Sequence, residues 1–321
     1  RRGFGFEVWN TLFTEDLAVW TRPFCLSCKG TKTNQQLSNH QLFVFVSTFC
    51  LNPKVFCGII IIILLFLLLH PDMNARRSYS YIEKDLILVN LHKEVAKNFT
   101  TTAVVECGYK DVIFDDTTFS PSLVEEDLIE SHRILDGGEY APSECKPQYS
   151  TAIIVPYRYF LLNVGALAAM RAGYPCLVLH NVDLLPLRPA NLYACTKQPR
   201  HMSSSINKFR YVLSYLNLFG GAIAIVSKQF KDINGMSNEY FGWGGEDDDL
   251  YSRLEAQNLK LCRFEPRTSI YHMLSHMSQE QGKNRLTLAK KRTVDDGLNT
   301  LHYTEVVTVL HPLFTHIVVD L

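Results

Sequence analysis

A chain of 321 residues, about two domains' worth by length, can bury a core, and its 47% hydrophobic and 20% charged composition excludes a disordered or fibrous protein. Lysine and arginine total 32, as do aspartate and glutamate, giving a net charge of zero. That balance lacks the basic footprint of a protein that tracks a nucleic-acid backbone, so no nucleic-acid partner is expected.

Residues 1–54 mix aromatics, cysteines and amides without a usable period and are left unassigned. Their Cys25-x-x-Cys28 pair has no second pair and no nearby histidine cluster to complete a tetrahedral zinc site. Val55 to Leu69 reads VFCGIIIIILLFLLL, a run without a single charge. It reaches roughly 22 Å as a helix, short of a ~30 Å hydrocarbon core, yet its lack of a polar face suits a transmembrane signal-anchor better than a buried helix. A signal-peptide core fits poorly behind more than fifty residues. The flanking charges, Lys54 before and Arg76, Arg77 and Lys84 after, taken literally put the C-terminal part in the cytosol.

Residues 70–106 are polar and mixed and read as a stem, with Asn98-Phe99-Thr100 as the N-glycosylation triplet and Asn98 its acceptor. From about Cys107 the pattern is that of a compact domain, 107–321. Of nine cysteines, five lie there, and four of them, Cys107, Cys145, Cys176 and Cys195, are in numbers suited to two disulfides.

Within that domain Thr151 to Val155 reads as a buried strand ended by Pro156, Leu161 to Ala172 as a helix, and Cys176 to His180 as a second strand. Two parallel strands joined by a helix form a βαβ unit, whose ligand sites lie at the carboxyl ends of the strands. Those ends carry Pro156-Tyr157-Arg158 and Asn181-Val182-Asp183. Phe219 to Val226 is predicted as a strand after a glycine pair, Ser227 as the cap of a helix stopping at Asn234-Gly235, and Glu246 to Gln257 as a further helix.

The densest chemistry is Phe241-Gly-Trp-Gly-Gly-Glu-Asp-Asp-Asp249. Four acids open a helix, where free N–H groups and the macrodipole favour negative charge, so an acidic first turn is common for structural reasons alone. Here Gly242, Gly244 and Gly245 let backbone approach a ligand, Trp243 offers a flat apolar face for a sugar, and a carboxylate can act as general base for a hydroxyl. Asp183, at a strand end, suits a divalent cation that holds a diphosphate. His272 and His276, spaced i, i+4, fit either a helical metal pair or ordinary solvated or core histidines.

In this order, eight blocks resemble the β1,4-galactosyltransferase family: Gly137 to Cys145, Val155 to Arg158, Leu161 to Gly165, Val182 to Pro186, Gln198 to His201, Phe219 to Gly221, Gly242 to Asp249 and Asp296 to Asn299. The resemblance covers about Cys107 to Leu321. It implies an α/β, GT-A (Rossmann-like) glycosyltransferase domain behind an N-terminal membrane anchor and stem. The implied protein is a single-pass type II protein of the Golgi membrane with its catalytic domain lumenal, a topology that the sequon and cysteines favour over the charge count.

Carried over residue by residue, the resemblance implies that Asp183, Met273 and His276 hold Mn2+. Pro156, Tyr157, Arg158, Val182, Asp183, Leu218 and Trp243 would contact the donor, UDP-GalNAc or UDP-Gal. Tyr215, Trp243, Gly245, Glu246, Asp247 and Asp248 would bind a GlcNAc-terminated glycan acceptor, with Asp247 as the catalytic base. Cys107 would pair with Cys145 and Cys176 with Cys195. Leu218 stands where galactose-specific relatives carry a tyrosine, which points to N-acetylgalactosamine as the transferred sugar.

Three departures accompany the matches. Arg158 runs directly into Tyr159-Phe160-Leu161 where the family inserts a helix–strand unit; Asn181 replaces the first aspartate of the family's Asp-Val-Asp; and the loop after His276 is shortened, leaving Arg285 as the counterpart of its arginine. The rival to an enzyme is therefore a membrane-anchored, non-enzymatic descendant that has lost donor binding with the missing unit.

Overall fold

A computed structural model describes residues 53–69, 78–97, 101–119, 134–156, 161–240, 242–277, 281–291 and 295–320. Asn98, Tyr157 and Arg158 lie outside them. The chain divides after Pro53 into two compact units, and apart from Pro53 the described residues belong to the second.

Helix α1 (Pro53–Leu69) holds the charge-free run. At ~1.5 Å per residue its length is roughly 25 Å, and among the described residues no helix is long and apolar enough to cross a membrane. Ile62, Phe66 and Leu69 on it are largely exposed. Two short helices follow, α2 (Ile87–Asn90) and α3 (Lys110–Phe114), then the small antiparallel ribbon of β1 (Ile134–Leu135) and β2 (Glu139–Tyr140).

The βαβ unit forms as its apolar runs dictate: β3 (Thr151–Ile154), α4 (Leu161–Arg171) and β4 (Cys176–His180), with β3 and β4 parallel. Strands β5 (Leu184–Pro186), β6 (Arg200–His201), β7 (Ser205–Ile206) and β8 (Ala222–Val226) precede α5 (Ser227–Asp232), α6 (Glu246–Ala256), β9 (Ile270–Met273) and α7 (Arg285–Lys291). The hairpin of β10 (Thr304–Leu310) and β11 (Thr315–Asp320) ends the described chain. The main sheet has the order β3-β4-β8-β6 and a second sheet the order β5-β9-β7.

Every residue of β4 and β8 is buried, because these central strands are covered on both faces. Leu177, Leu179, Ile223 and Ile225 pack with Leu162 and Ala166 of α4, Phe230 of α5, and Leu250 and Leu254 of α6. Cys176, Val178, Ala222 and Ala224 face the other way, toward Met202 and Tyr271. Each fully buried Leu, Ile or Phe contributes about 1.5–3 kcal/mol. Both implied disulfides are made, Cys107–Cys145 and Cys176–Cys195, with Cα separations of 4.9 and 5.5 Å.

Three sequence expectations need correction. Strand β8 begins at Ala222 rather than Phe219, because Gly221, at φ 73°, turns the chain out of extended geometry. Ser227 does not cap α5. Its hydroxyl donates to the Tyr174 carbonyl at 2.6 Å, and Val226 holds the cap position. His272 and His276 share no helix either: His272 lies on β9 and His276 in the segment after it. At the other end of the sheet, β3 pairs with β4 alone among the described strands, and its Ile153 is half exposed.

Candidate active site

The glycine-rich approach to α6 has φ values of 89° at Gly242, 108° at Gly244 and 99° at Gly245, a left-handed path that residues with a Cβ rarely take. The path is stapled shut where Gly244 N–H donates to Glu246 Oε2 at 2.7 Å. It leaves Trp243 half exposed, with the Arg285 guanidinium 6.0 Å from the ring and Gly282 N–H donating to the Trp243 carbonyl at 3.1 Å. The implied counterpart residue Arg285 thus stands beside the tryptophan.

The four acids that open α6 separate into distinct roles. Asp249 is buried and structural: Arg253 Nε donates to it at 2.6 Å, and the same guanidinium reaches Asp296 Oδ1 at 3.0 Å. Asp248 is exposed and accepts the Tyr215 hydroxyl at 2.8 Å. Burial, and next the bond to this carboxylate, raise the pKa of that tyrosine. Glu246 is buried and holds the Gly244 backbone. Asp247 points its carboxyl at Gly220, and burial first, then the charges of Glu246 and Asp248, push its pKa up to about 7. A carboxylate so tuned can take a proton near neutral pH.

Beneath Asp247 lies a floor that sequence reasoning missed. Gly220 carbonyl accepts the Ser203 hydroxyl at 3.2 Å, and the same hydroxyl accepts Ala222 N–H at 3.0 Å. His201 Nε2 stands 3.4 Å from Ser203 Oγ, and Arg263 Nε donates to His201 Nδ1 at 3.1 Å. Arg263 Nη2 also donates to the carbonyls of Leu216 (2.8 Å) and Leu218 (2.9 Å). Burial and the adjacent guanidinium hold the His201 imidazole well below its usual pKa, so it is neutral. Arg263 thereby fixes the segment that carries Tyr215 and the partly buried Leu218. His201 belongs to one of the matching blocks; Ser203 and Arg263 carry no local signal.

At the carboxyl end of β4, Asn181 N–H donates to the Gly221 carbonyl at 2.8 Å, Val182 is exposed, and Asp183 turns toward β9. Pro156, just past β3, lies at the same edge of the sheet. Met273 pairs with Leu184 across β5–β9, and Leu274 N–H donates to the Asp183 carbonyl at 2.8 Å. These ladders bring His276 Nε2 to 3.0 Å from Asp183 Oδ2. His276 Nδ1 faces the Met277 carbonyl at 2.8 Å, an acceptor only, so Nδ1 carries a proton and donates. Nε2 then faces the Asp183 carboxylate, an arrangement that calls for a proton or a cation between them. Among the described residues no third carboxylate, imidazole or thiol joins the pair. Met273, the last residue of β9, packs its partly buried side chain against the core cluster that includes Leu184 and Tyr271, and its thioether would be a soft donor for a divalent cation.

Residues 200–277, which include the acid-rich helix start and the β9 end, match the family model described as the N-terminal domain of galactosyltransferase. The chain is similar to β-1,4-galactosyltransferase 2 of Mus musculus, at 32% identity over 249 aligned residues covering 63% of this chain and 68% of that one. It is 35% identical to β-1,4-galactosyltransferase 3 of Rattus norvegicus over 254 residues, 64% of each chain. Among solved structures, a Drosophila β-1,4-galactosyltransferase 7 mutant in complex with manganese, UDP-Gal and xylobiose has a TM-score of 0.48 and 22% identity. It covers 53% of this chain and 93% of that one.

Proposed function

Because the chain belongs to the β-1,4-galactosyltransferase family, we propose that it transfers N-acetylgalactosamine or galactose from UDP to the 4-hydroxyl of a terminal β-N-acetylglucosamine on a glycoprotein or glycolipid, with inversion. The observation that carries this reading is Asp247, a carboxylate with its pKa pushed up to about 7 that lies against Gly220 and directly follows the left-handed glycine path carrying the half-exposed Trp243. Asp247 takes the acceptor hydroxyl proton as that oxygen attacks the anomeric carbon; the bond from this carbon to the diphosphate oxygen breaks on the opposite face, and an α-linked donor gives a β product. Trp243, Tyr215, Gly245, Glu246 and Asp248 form the acceptor side in this reading, and Pro156, Tyr157, Arg158, Val182 and Leu218 the donor side.

Asp183, His276 and Met273 suit a divalent cation, manganese on the family reading, which when bound would offset the negative charge that builds on the departing diphosphate. The approach of His276 Nε2 to within 3.0 Å of Asp183 Oδ2 supports that assignment by bringing two of the three together. Helix α1 is the membrane anchor in this reading, residues 70–106 the stem, and 107–321 a catalytic domain in the Golgi lumen, with Asn98 as its glycan acceptor. Two disulfides support a compartment that permits oxidation.

That β3 pairs with β4 alone among the described strands favours a second reading, a non-enzymatic family member that binds acceptor glycan but no donor. One assay separates the two. The full chain is incubated with manganese, a GlcNAc-terminated acceptor and each UDP-sugar, and product linkage is determined by NMR. A β1,4-linked product that requires manganese and disappears in Asp247→Asn supports the enzyme; acceptor binding without transfer from either donor supports the rival.

A further inference from the structure

Strands β7 and β9 run parallel, with Ser205 opposite Ile270 and Ile206 opposite Tyr271. The ladder has no third rung of backbone, because the chain leaves β7 at Asn207 and enters a single 3₁₀ turn, Asn207–Phe209. Beyond Tyr271, however, β9 still presents His272 and Met273 on that side. The partly buried side chain of Asn207 meets both: its Oδ1 accepts Met273 N–H at 2.7 Å, and its Nδ2 lies 3.1 Å from His272 Nδ1. The orientation of the amide follows from chemistry. A backbone N–H can only donate, so the carbonyl end faces Met273 and the –NH2 end donates to the ring.

We propose that Asn207 is a positioning residue for the cation site, its side-chain amide replacing the missing rung of the β7–β9 ladder and holding Met273 in register with Asp183. The proposal rests on the reading of Asp183, Met273 and His276 as the metal site. Without Asn207, the backbone of the last β9 residue keeps only its pairing with Leu184 on the β5 side, beside the packing of its side chain on the core. The thioether then loses the fixed backbone that sets its direction. Outer partners of this kind commonly alter metal affinity by about 10–100-fold. The Oδ1 contact carries the effect, so aspartate, which keeps an acceptor there, substitutes for asparagine and alanine does not.

The test titrates the full-length chain with Mn2+ alone and follows free Mn2+ by electron paramagnetic resonance. Asn207→Ala is expected to weaken binding about 10-fold, with Asn207→Asp at or near the wild-type affinity. Met273→Ala added to Asn207→Ala should cost less than Met273→Ala alone, because the two residues act as one unit. If Asn207→Ala loses its cooperative melt, Asn207→Ser, too short to reach Met273 N–H, replaces it in both comparisons. Wild-type affinity in the Ala or Ser variant overturns the proposal, as does equal loss in Asn207→Asp or full additivity with Met273→Ala. Asp183→Ala distinguishes the two levels. If it alone abolishes Mn2+ binding, the metal reading stands and only the role of Asn207 fails; if it too binds normally, the metal reading fails and the proposal falls with it.

Discussion

The carboxyl group of Asp247 occupies the space that a side chain at Gly220 would need: a Cβ built on Gly220 would lie 2.1 Å from Asp247 Cγ and 2.1 and 2.2 Å from its oxygens. Gly220, unlike Gly221 next to it, has no left-handed φ, so the requirement there is for room and not for backbone freedom. Gly220→Ala should therefore displace the carboxyl and lower kcat about 100-fold, the low end of what a general base supplies. Asp247→Ala in the Gly220→Ala background should cost little more. Steady-state kinetics of the two single variants and the double variant check this, and multiplicative losses would separate the glycine from the base.

Asp247→Asn should keep the fold and the affinity for UDP while lowering turnover by about 100-fold or more, since the amide cannot accept the proton. The pH dependence follows from the raised pKa. kcat/KM of the wild type should climb with pH and level off above about 7, where the carboxylate is ionised. For stability the sign is opposite. The folded-state pKa lies above the unfolded value of ~3.9, so the contribution of Asp247 to folding is complete below about pH 4 and is lost as pH rises through about 7. Denaturant melts of wild type and Asp247→Asn from pH 4 to 8 should diverge over that window, the wild type becoming the weaker.

Leu218 is gripped through its carbonyl by Arg263 and leaves its side chain partly exposed beside the Gly220 floor. On the proposed reading, a leucine there, shorter than tyrosine and without a hydroxyl, would leave room for an N-acetyl group on the donor. Wild type should prefer UDP-N-acetylgalactosamine, and Leu218→Tyr should shift the ratio of kcat/KM values toward UDP-galactose by filling that space. An unmoved ratio would show that this side chain is not the donor gate.

Arg253 ties the acidic helix to the C-terminal part of the chain, bonding Asp249 at 2.6 Å and both the side chain (3.0 Å) and carbonyl (2.7 Å) of Asp296. Its side chain is 1% exposed. Arg253→Ala should destabilise the domain by about 3–5 kcal/mol, because it strips the buried Asp249 and the partly buried Asp296 of their counter-charge. Asp248→Asn, at an exposed acid of the same turn, should change stability by less than about 1 kcal/mol. Thermal melts of the two variants test whether the four acids do divide into structural and surface roles.

Much of this molecule is determined locally. The apolar runs of β4 and β8, the Leu/Ala-rich α4, the Asn234-Gly235 stop of α5 and the acidic start of α6 each follow from propensity, periodicity or the helix dipole acting over a few residues. The order of the motif blocks likewise implies, through the family resemblance, that Asp183, Met273 and His276 share a site, and the fold brings Asp183 and His276 within hydrogen-bond distance. What only the tertiary structure decided is which partners these groups meet. The i, i+4 spacing of His272 and His276 describes a helix, yet pairing with β5 and β7 extends this segment, so one ring turns to Asn207 and the other to Asp183. The four acids of α6 look equivalent in sequence and differ in the fold because Tyr215, Gly220 and Arg253 approach from separate parts of the chain. Sequence patterns report the periodicity of an element, whereas hydrogen-bond partners and desolvation depend on contacts between residues far apart in the chain. Ser203, Asn207 and Arg263 show this: each acts through contacts that no local pattern encodes.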